Sequence, residues 1–293
     1  MIPNNGFLFI LKPRGITSSQ LVQKIKKKYN FVKLGHTGTL DKSAEGLMIL
    51  PYNKYTCFSE KLLGKDKDYY VSIRPGIFTD SGDLDGEILK SMTKNELKKF
   101  FDDNFNLIHS SILDIKKWTS QIPPKISALK KDGKRYSDLF RNSTFFEVKE
   151  RPITVYFIED INISYLEISF KIGVSSGTYI RKIVQDLSDS LKIPLVISRL
   201  VRSKIGSFMI KNSQNLENLE NNEELKVFTL DDIYPLKYFE VEDSQVKKVA
   251  NGNIVEIPLS KNEDEFYLNN KGKLLAWCQN IPEKNTFKYL KVF

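Results

Sequence analysis

The segment Gly35-His36-Thr37-Gly38-Thr39-Leu40-Asp41-Lys42-Ser43-Ala44-Glu45-Gly46-Leu47 constrains this chain most, because it sets one carboxylate in a turn between apolar walls. Gly35, Gly38 and Gly46 permit backbone conformations and close approaches that a Cβ would block. Leu40 and the run Leu47-Met48-Ile49-Leu50 supply the walls. A carboxylate held in this way serves as nucleophile, as base, or as the cap of a short helix starting near Lys42. The turn alone leaves all three open.

The flanking pattern places this turn between regular elements. Phe7 to Leu11 reads as a buried strand, and Pro13-Arg14-Gly15 turns the chain into a helix beginning near Ser18 or Ser19. Leu21, Val22, Ile25 and Tyr29 follow one face of that helix while lysines take the other. Leu47 to Pro51 reads as a strand, and Tyr69, Val71 and Ile73 share one face of an alternating segment ending at Arg74. Thr93-Lys94-Asn95-Glu96 is a capping box, opening a helix that carries Leu97, Phe100, Phe101 and Phe105. Residues 152 to 175 alternate as two strands joined near Asp160-Ile161-Asn162. A helix then begins in Ser176-Gly177-Thr178-Tyr179-Ile180-Arg181, with Thr178 as its cap and Ile180, Ile183, Val184, Leu187 and Leu191 as its apolar stripe. Tyr179 and Arg181 fall about 100° to either side of Ile180, off that stripe.

Residues 212 to 226, rich in Asn and Glu, read as a surface connection. Beyond Leu236 come short strands at Phe239-Val241, Ile254-Ile257, Glu265-Leu268, Leu274-Trp277 and Phe287-Leu290. Together these elements predict an α+β fold with a mixed, largely antiparallel sheet flanked by helices. Residues 1–235 form the main domain, and 236–293 form a β-rich domain of fewer than about 60 residues, near the lower limit for independent folding.

Composition narrows the function. With 293 residues, 41% hydrophobic and 28% charged, the chain is that of a folded protein. A net charge of +9, from 45 basic against 36 acidic residues, points to a polyanionic partner and to nucleic acid first. Between 116 and 150, Lys116, Lys117, Lys125, Lys130, Lys131, Lys134, Arg135 and Arg141 are interleaved with Trp118, Tyr136 and Phe140. Such spacing suits a surface that tracks phosphates and stacks on bases, and equally a solvated helical hairpin. Cys57 and Cys278 have no ligand-spaced partners, so neither a zinc site nor a disulfide framework is indicated. The loop Thr79 to Gly86 is similar to a calcium loop in its Asp spacing but lacks the downstream Glu. No metal or cofactor is expected. The apolar run at Phe7-Leu11 is too short for a signal segment and no stretch approaches a membrane span, so the cytoplasm is the expected compartment.

Five separated blocks then carry a family resemblance: Lys12-Pro13-Arg14-Gly15, the Gly35–Asp41 turn, Tyr69, Ser176-Gly177-Thr178-Tyr179-Ile180-Arg181, and Arg199-Leu200. Over roughly residues 5 to 235 the chain resembles the TruB-type tRNA pseudouridine synthases, which isomerise uridine-55 in the T-loop of tRNA. The C-terminal part resembles a PUA-like RNA-binding domain. One departure is visible, Lys42 standing where the family usually has Pro; it leaves the carboxylate in place.

The resemblance implies a pseudouridine synthase core acting on the tRNA T-arm and elbow, as a monomer, without cofactor or obligate protein partner. It assigns Asp41, Tyr69, Tyr179 and Arg181 to catalysis, and His36, Lys12, Leu200 and Thr39 to substrate binding, to which Lys42, at the departure from the family's pattern, would add a phosphate contact. Asp41 would attack C1′ of the ribose or C6 of the uracil, with Arg181 keeping it charged and aimed. Tyr69 would stack on the flipped base, Tyr179 would lie across the reacting ring, and Leu200 would close the pocket. His36 would fill the gap that the base leaves, and Lys12 would support the Asp41 loop. The basic segment 116–150 and the lysine face of the first helix would grip phosphates. A tRNA-elbow-binding protein without turnover, a synthase acting on another RNA, for instance an RNA-guided one, and a carboxylate-dependent hydrolase are the competing readings.

Overall fold

The computed structural model describes residues 2–124, 148–260 and 262–293, with a two-stranded ladder of Lys130–Lys131 against Lys134–Arg135. Most of the basic 116–150 segment therefore lies outside the described residues. An eight-stranded sheet organises the larger part of the molecule. Its strands are β1 (Gly6–Lys12), β2 (Glu45–Tyr52), β3 (Lys67–Pro75), β4 (Val155–Ile163), β5 (Ile168–Val174), β6 (Leu195–Ile205), β7 (Phe208–Met209) and β8 (Gln214–Asn215). The order is β4-β5-β3-β6-β2-β1-β8, with β7 paired to β6. Only the β6–β2 and β1–β8 pairs are parallel, so the sheet is mixed and largely antiparallel, as expected.

One face of the sheet is covered by α1 (Ser18–Lys28), α2 (Lys94–Asp114) and α3 (Ile180–Leu191). Leu21, Val22 and Ile25 of α1 and Ile180, Ile183, Val184, Leu187 and Leu191 of α3 are buried there, which is the periodicity read from the sequence. Thr93 and Glu96 form the capping box of α2. Phe105, expected on the core face of α2, is about half exposed. The helix breaks just before it, at Asn104, whose side-chain amide donates to the Phe100 carbonyl and draws the backbone out of helical geometry.

Several boundaries differ from expectation for identifiable reasons. No helix starts at Lys42: the chain makes one turn, closed by Ala44 N–H to Asp41 O at 3.2 Å, and enters β2 at Glu45. The join expected at 160–162 is a bulge inside β4, with Asp160 at φ +54°, and the reversal comes at Ser164–Glu167. Residues 212–226 are not merely a connection. They contain β8 and α4 (Leu216–Glu220), whose Leu216 and Leu219 enter the main core. Residues 254–257 form no strand, although Val255 is buried.

A second, four-stranded sheet holds β9 (Lys237–Glu240), β10 (Glu265–Asn270), β11 (Lys273–Ile281) and β12 (Thr286–Val292), with α5 (Asp243–Ala250) against it. It is joined to the larger sheet by an aromatic seam in which Phe58 stacks on Trp277 at 4.6 Å between centroids. Within that seam the Glu265 carboxylate accepts from Trp277 Nε1 and the Tyr234 hydroxyl, each at 2.9 Å, and pairs with Lys61. No helix among the described residues is long and apolar enough to cross a membrane.

Candidate active site

Asp41 lies on the loop between α1 and β2, and the loop is held from five directions. Thr37 N–H and Oγ1 both reach the Ile49 carbonyl, at 3.1 and 3.2 Å. Ser18 Oγ, at the start of α1, both accepts from Leu40 N–H and donates to Leu40 O, each at 2.9 Å. Lys12 Nζ, wholly buried at the end of β1, donates to Ala44 O at 2.6 Å. Ser43 Oγ donates to Asp83 Oδ2 at 2.7 Å. Arg202 of β6 donates through Nη2 to Gly38 O at 3.1 Å. Gly46 is required where the loop enters β2, for at φ +126° a Cβ would come within 2.4 Å of the Arg202 carbonyl oxygen. The loop is a fixed mount for one carboxylate.

The carboxylate itself faces Arg181. Arg181 Nε lies 2.7 Å from Asp41 Oδ2 and Nη2 lies 3.2 Å from Oδ1, a two-point pairing that fixes the plane of the carboxylate. The Arg181 side chain is 7% exposed while that of Asp41 is 39% exposed, so the cation is embedded and the anion is open to solvent. Arg181 is buried although it stands off the helix stripe, because the loop around Ser81 folds over it and Nη1 donates to Ser81 O at 3.0 Å. Asp83 of that loop also accepts from Ser81 Oγ and Asp85 N–H. The Asp spacing that looked like a calcium loop thus ties the Asp41 loop to α3. Among the described residues no cluster of His, Cys, Asp or Glu is fit to hold a metal.

The other residues singled out in the sequence lie on the Asp41 loop, on β1, β3 and β6, and at the head of α3. Tyr69 on β3 is buried, with its neighbour in register on β6 being Arg202. Burial pushes the Tyr69 phenol up, and Arg202, which donates to it, opposes that shift. Leu200 is buried on β6 opposite Val71 of β3. Tyr179 is half-buried and is the N-cap residue of α3, a position expected for Thr178. Burial pushes the Lys12 ammonium down to about 8, against the pull of Asp41. His36 is half-buried, with Nδ1 3.4 Å from the Gly38 amide that points to it. Thr39 and Lys42 are exposed on the loop, and Lys42 O accepts from Gly15 N–H at 2.9 Å. Two lysines of α1 are engaged within the chain: Lys24 pairs with Glu220, and Lys28 donates to Glu220 O and Asn222 Oδ1.

Two residues of the site escaped the sequence reading. Gln121 is buried, and its side-chain amide clasps the Tyr179 peptide, donating to Tyr179 O at 3.0 Å and accepting from Tyr179 N–H at 2.9 Å. Arg202 is 1% exposed. A cation two residues past Leu200, in strand alternation with that apolar residue, was the available signal for it; Gln121 gave none.

Against known proteins, residues 26–180 match the model described as TruB family pseudouridylate synthase, N-terminal domain. The chain belongs to the TruB family of pseudouridine synthases. It is accordingly an isomerase. A protein of Leptospira interrogans called tRNA pseudouridine synthase B is 40% identical over 99% of this chain and 94% of its own length. One of the same name from Borreliella burgdorferi is 34% identical over 99% of both chains. Among solved structures, an H/ACA RNP bound to a substrate RNA containing 2′-deoxyuridine has a chain that matches with TM-score 0.63 and 20% identity. That match spans 99% of this chain and 85% of the other. A Cbf5-Nop10-Gar1 complex matches with TM-score 0.63 and 21% identity over 98% of this chain and 84% of the other. At those identities the likeness is one of fold.

Proposed function

We propose that this protein isomerises uridine-55 in the T-loop of tRNA to pseudouridine, with Asp41 as nucleophile. The observation that carries the proposal is the Asp41–Arg181 pair: a half-open carboxylate, fixed in plane by a buried guanidinium, on a loop that cannot drift. The relatives named tRNA pseudouridine synthase B support tRNA as the substrate. Isomerisation needs the N-glycosidic bond broken, the base turned, and a carbon bond made to C1′. A carboxylate nucleophile suffices to initiate that sequence.

The target base enters the cleft flipped from its loop, at a cost on the order of a few kcal/mol. Stacking on Tyr69 returns about 1–3 kcal/mol of it. Tyr179 faces the ring from the end of α3, Leu200 closes the apolar side, and His36 occupies the space the base vacates. Lys12 holds the Asp41 loop through Ala44 rather than touching substrate. Thr39 and Lys42 meet the RNA from the exposed rim of the loop. The segment 116–150 grips the T-arm, and the C-terminal sheet serves as a PUA-like RNA-binding domain. The protein works in the cytoplasm as a monomer.

A tRNA transcript tritiated at uracil C5 tests this directly, since joining C5 to the ribose expels that hydrogen. One equivalent released per tRNA, none from Asp41→Asn and none when uridine-55 is replaced is the expected result. Tight binding without release sinks the proposed substrate.

A further inference from the structure

Arg202 presents a physical puzzle. Its guanidinium lies in the interior with neutral oxygens as hydrogen-bond partners: Leu47 O at 2.9 Å from Nε, Gly38 O at 3.1 Å from Nη2, and the Tyr69 phenol. Burying a cation is expensive, and an apolar residue of similar volume commonly fills such a place at no loss of stability. The three partners are informative because of where they lie. Gly38 is on the Asp41 loop, Leu47 lies on β2, the strand that leaves it, and Tyr69 belongs to a different strand on the far side of β6. A bulge just beyond Arg202, where Asp68 pairs with Lys204, separates these pairings from the regular ladder that follows. One planar fork therefore reaches both the Asp41 loop and Tyr69 of β3.

We infer that Arg202 is a positioning residue that sets the distance and orientation between the Asp41 loop and the Tyr69 ring, acting through Gly38 O and the Tyr69 hydroxyl. Asp41 sits on the loop that enters β2 and Tyr69 sits on β3, two strands that do not pair with each other; β6 lies between them in the sheet. Their relative placement decides whether a stacked base presents its reacting atoms to the carboxylate. Gly38 completes the arrangement, for its φ of +132° is a backbone conformation that residues with a Cβ rarely adopt. A Lys in place of Arg202 keeps the charge but has no fork to span both partners. The inference rests on the assignment of Asp41 and Tyr69 to the reacting site.

The test is a double-mutant cycle on the full chain, read as single-turnover tritium release, tRNA dissociation constant and melting temperature for Tyr69→Phe, Arg202→Lys and the double variant. Arg202→Lys is expected to slow turnover by about 30-fold or more while tRNA affinity changes by less than about 3-fold. In the Tyr69→Phe background, where the hydroxyl is already gone, the same change is expected to slow turnover several-fold less. Equal fold-losses in both backgrounds, or a loss that follows the unfolded fraction, overturns the inference and leaves the reading of the site intact. Full activity in both Tyr69→Phe and Asp41→Asn overturns that reading and the inference with it. Should Arg202→Lys not fold, arginine side-chain NMR on Tyr69→Phe decides: a shifted Arg202 guanidinium signal supports the link, and an unmoved one overturns it.

Discussion

Arg181 grips Asp41 at both oxygens from a buried position, 2.7 Å from Oδ2 and 3.2 Å from Oδ1, so the two residues meet as a fork on a plane rather than as two point charges. Arg181→Lys retains the positive charge and loses the plane. We expect it to lower the single-turnover rate on the order of 100-fold with tRNA affinity little changed, because aim and not attraction is lost. A matched fall in affinity and rate would contradict this.

Gln121 acts on Tyr179 through its peptide and not its ring. Gln121→Leu should therefore leave the Tyr179 N–H and C=O without these partners at the head of α3, and cost roughly 1–3 kcal/mol of stability. Turnover should fall more than binding. Chemical denaturation and single-turnover rates on the same variant check both parts.

Lys12 and Lys67 have both been pushed down to about 8 by burial. An unfolded lysine titrates near about 10.4, so between these values the unfolded chain holds more protons and each lysine's contribution to stability rises with pH. That contribution is lost as pH falls through 8. Cys57 and Cys278, pushed up to about 11 and about 12 by burial, act in the opposite sense over much of this range, so the whole-protein profile is flattened. The difference between wild type and Lys67→Met isolates one lysine. It should move in favour of wild type by on the order of 1–3 kcal/mol from pH 7 to pH 10, measured by urea midpoints. A pH-independent difference would count against a depressed Lys67.

Along α1, Lys24 and Lys28 are engaged by Glu220 and Asn222 on the segment that follows β8. Replacing both by Ala should alter tRNA affinity by less than about 2-fold and leave the slope of affinity against salt unchanged. Stability should drop by no more than about 1 kcal/mol, since the pairs are solvent-exposed. A shallower salt slope would instead restore α1 to the RNA surface.

The sequence was most legible where local pattern and tertiary role agree. The stripe from Ile180 to Leu191, the capping box at Thr93 and the alternation around Tyr69 each follow from a helix or strand period, and each holds in the structure. The Asp41 turn was recognisable because small residues and a carboxylate cluster within a few positions. Its five anchors were less so. Ser18, Lys12, Asp83 and Arg202 come from four separate elements, and only Lys12 was tied to the loop beforehand. Arg202 was hidden by its surroundings, since a strand of Leu, Val and Ile with interspersed cations reads equally well with the cation outward. Residues 212–226 were misjudged because Leu216 and Leu219, three apart, are too few to outweigh the Asn and Glu around them. The lysines of α1 show the converse: their charge was visible, and the partners of Lys24 and Lys28 on the following segment were not.

The seating of the Asp41 loop between β2 and β6 also bears on how the chain acquires activity. Gly46 pairs with Arg202 across more than half the length of the sequence, so this contact closes late relative to hairpins such as β4–β5, whose strands are neighbours along the chain. Helices and hairpins can gather while the carboxylate is still unmounted. A refolding chain would thus regain its circular-dichroism signal in one kinetic phase and its first turnover in a later one, with competence arriving only when the Gly46–Arg202 pairing closes.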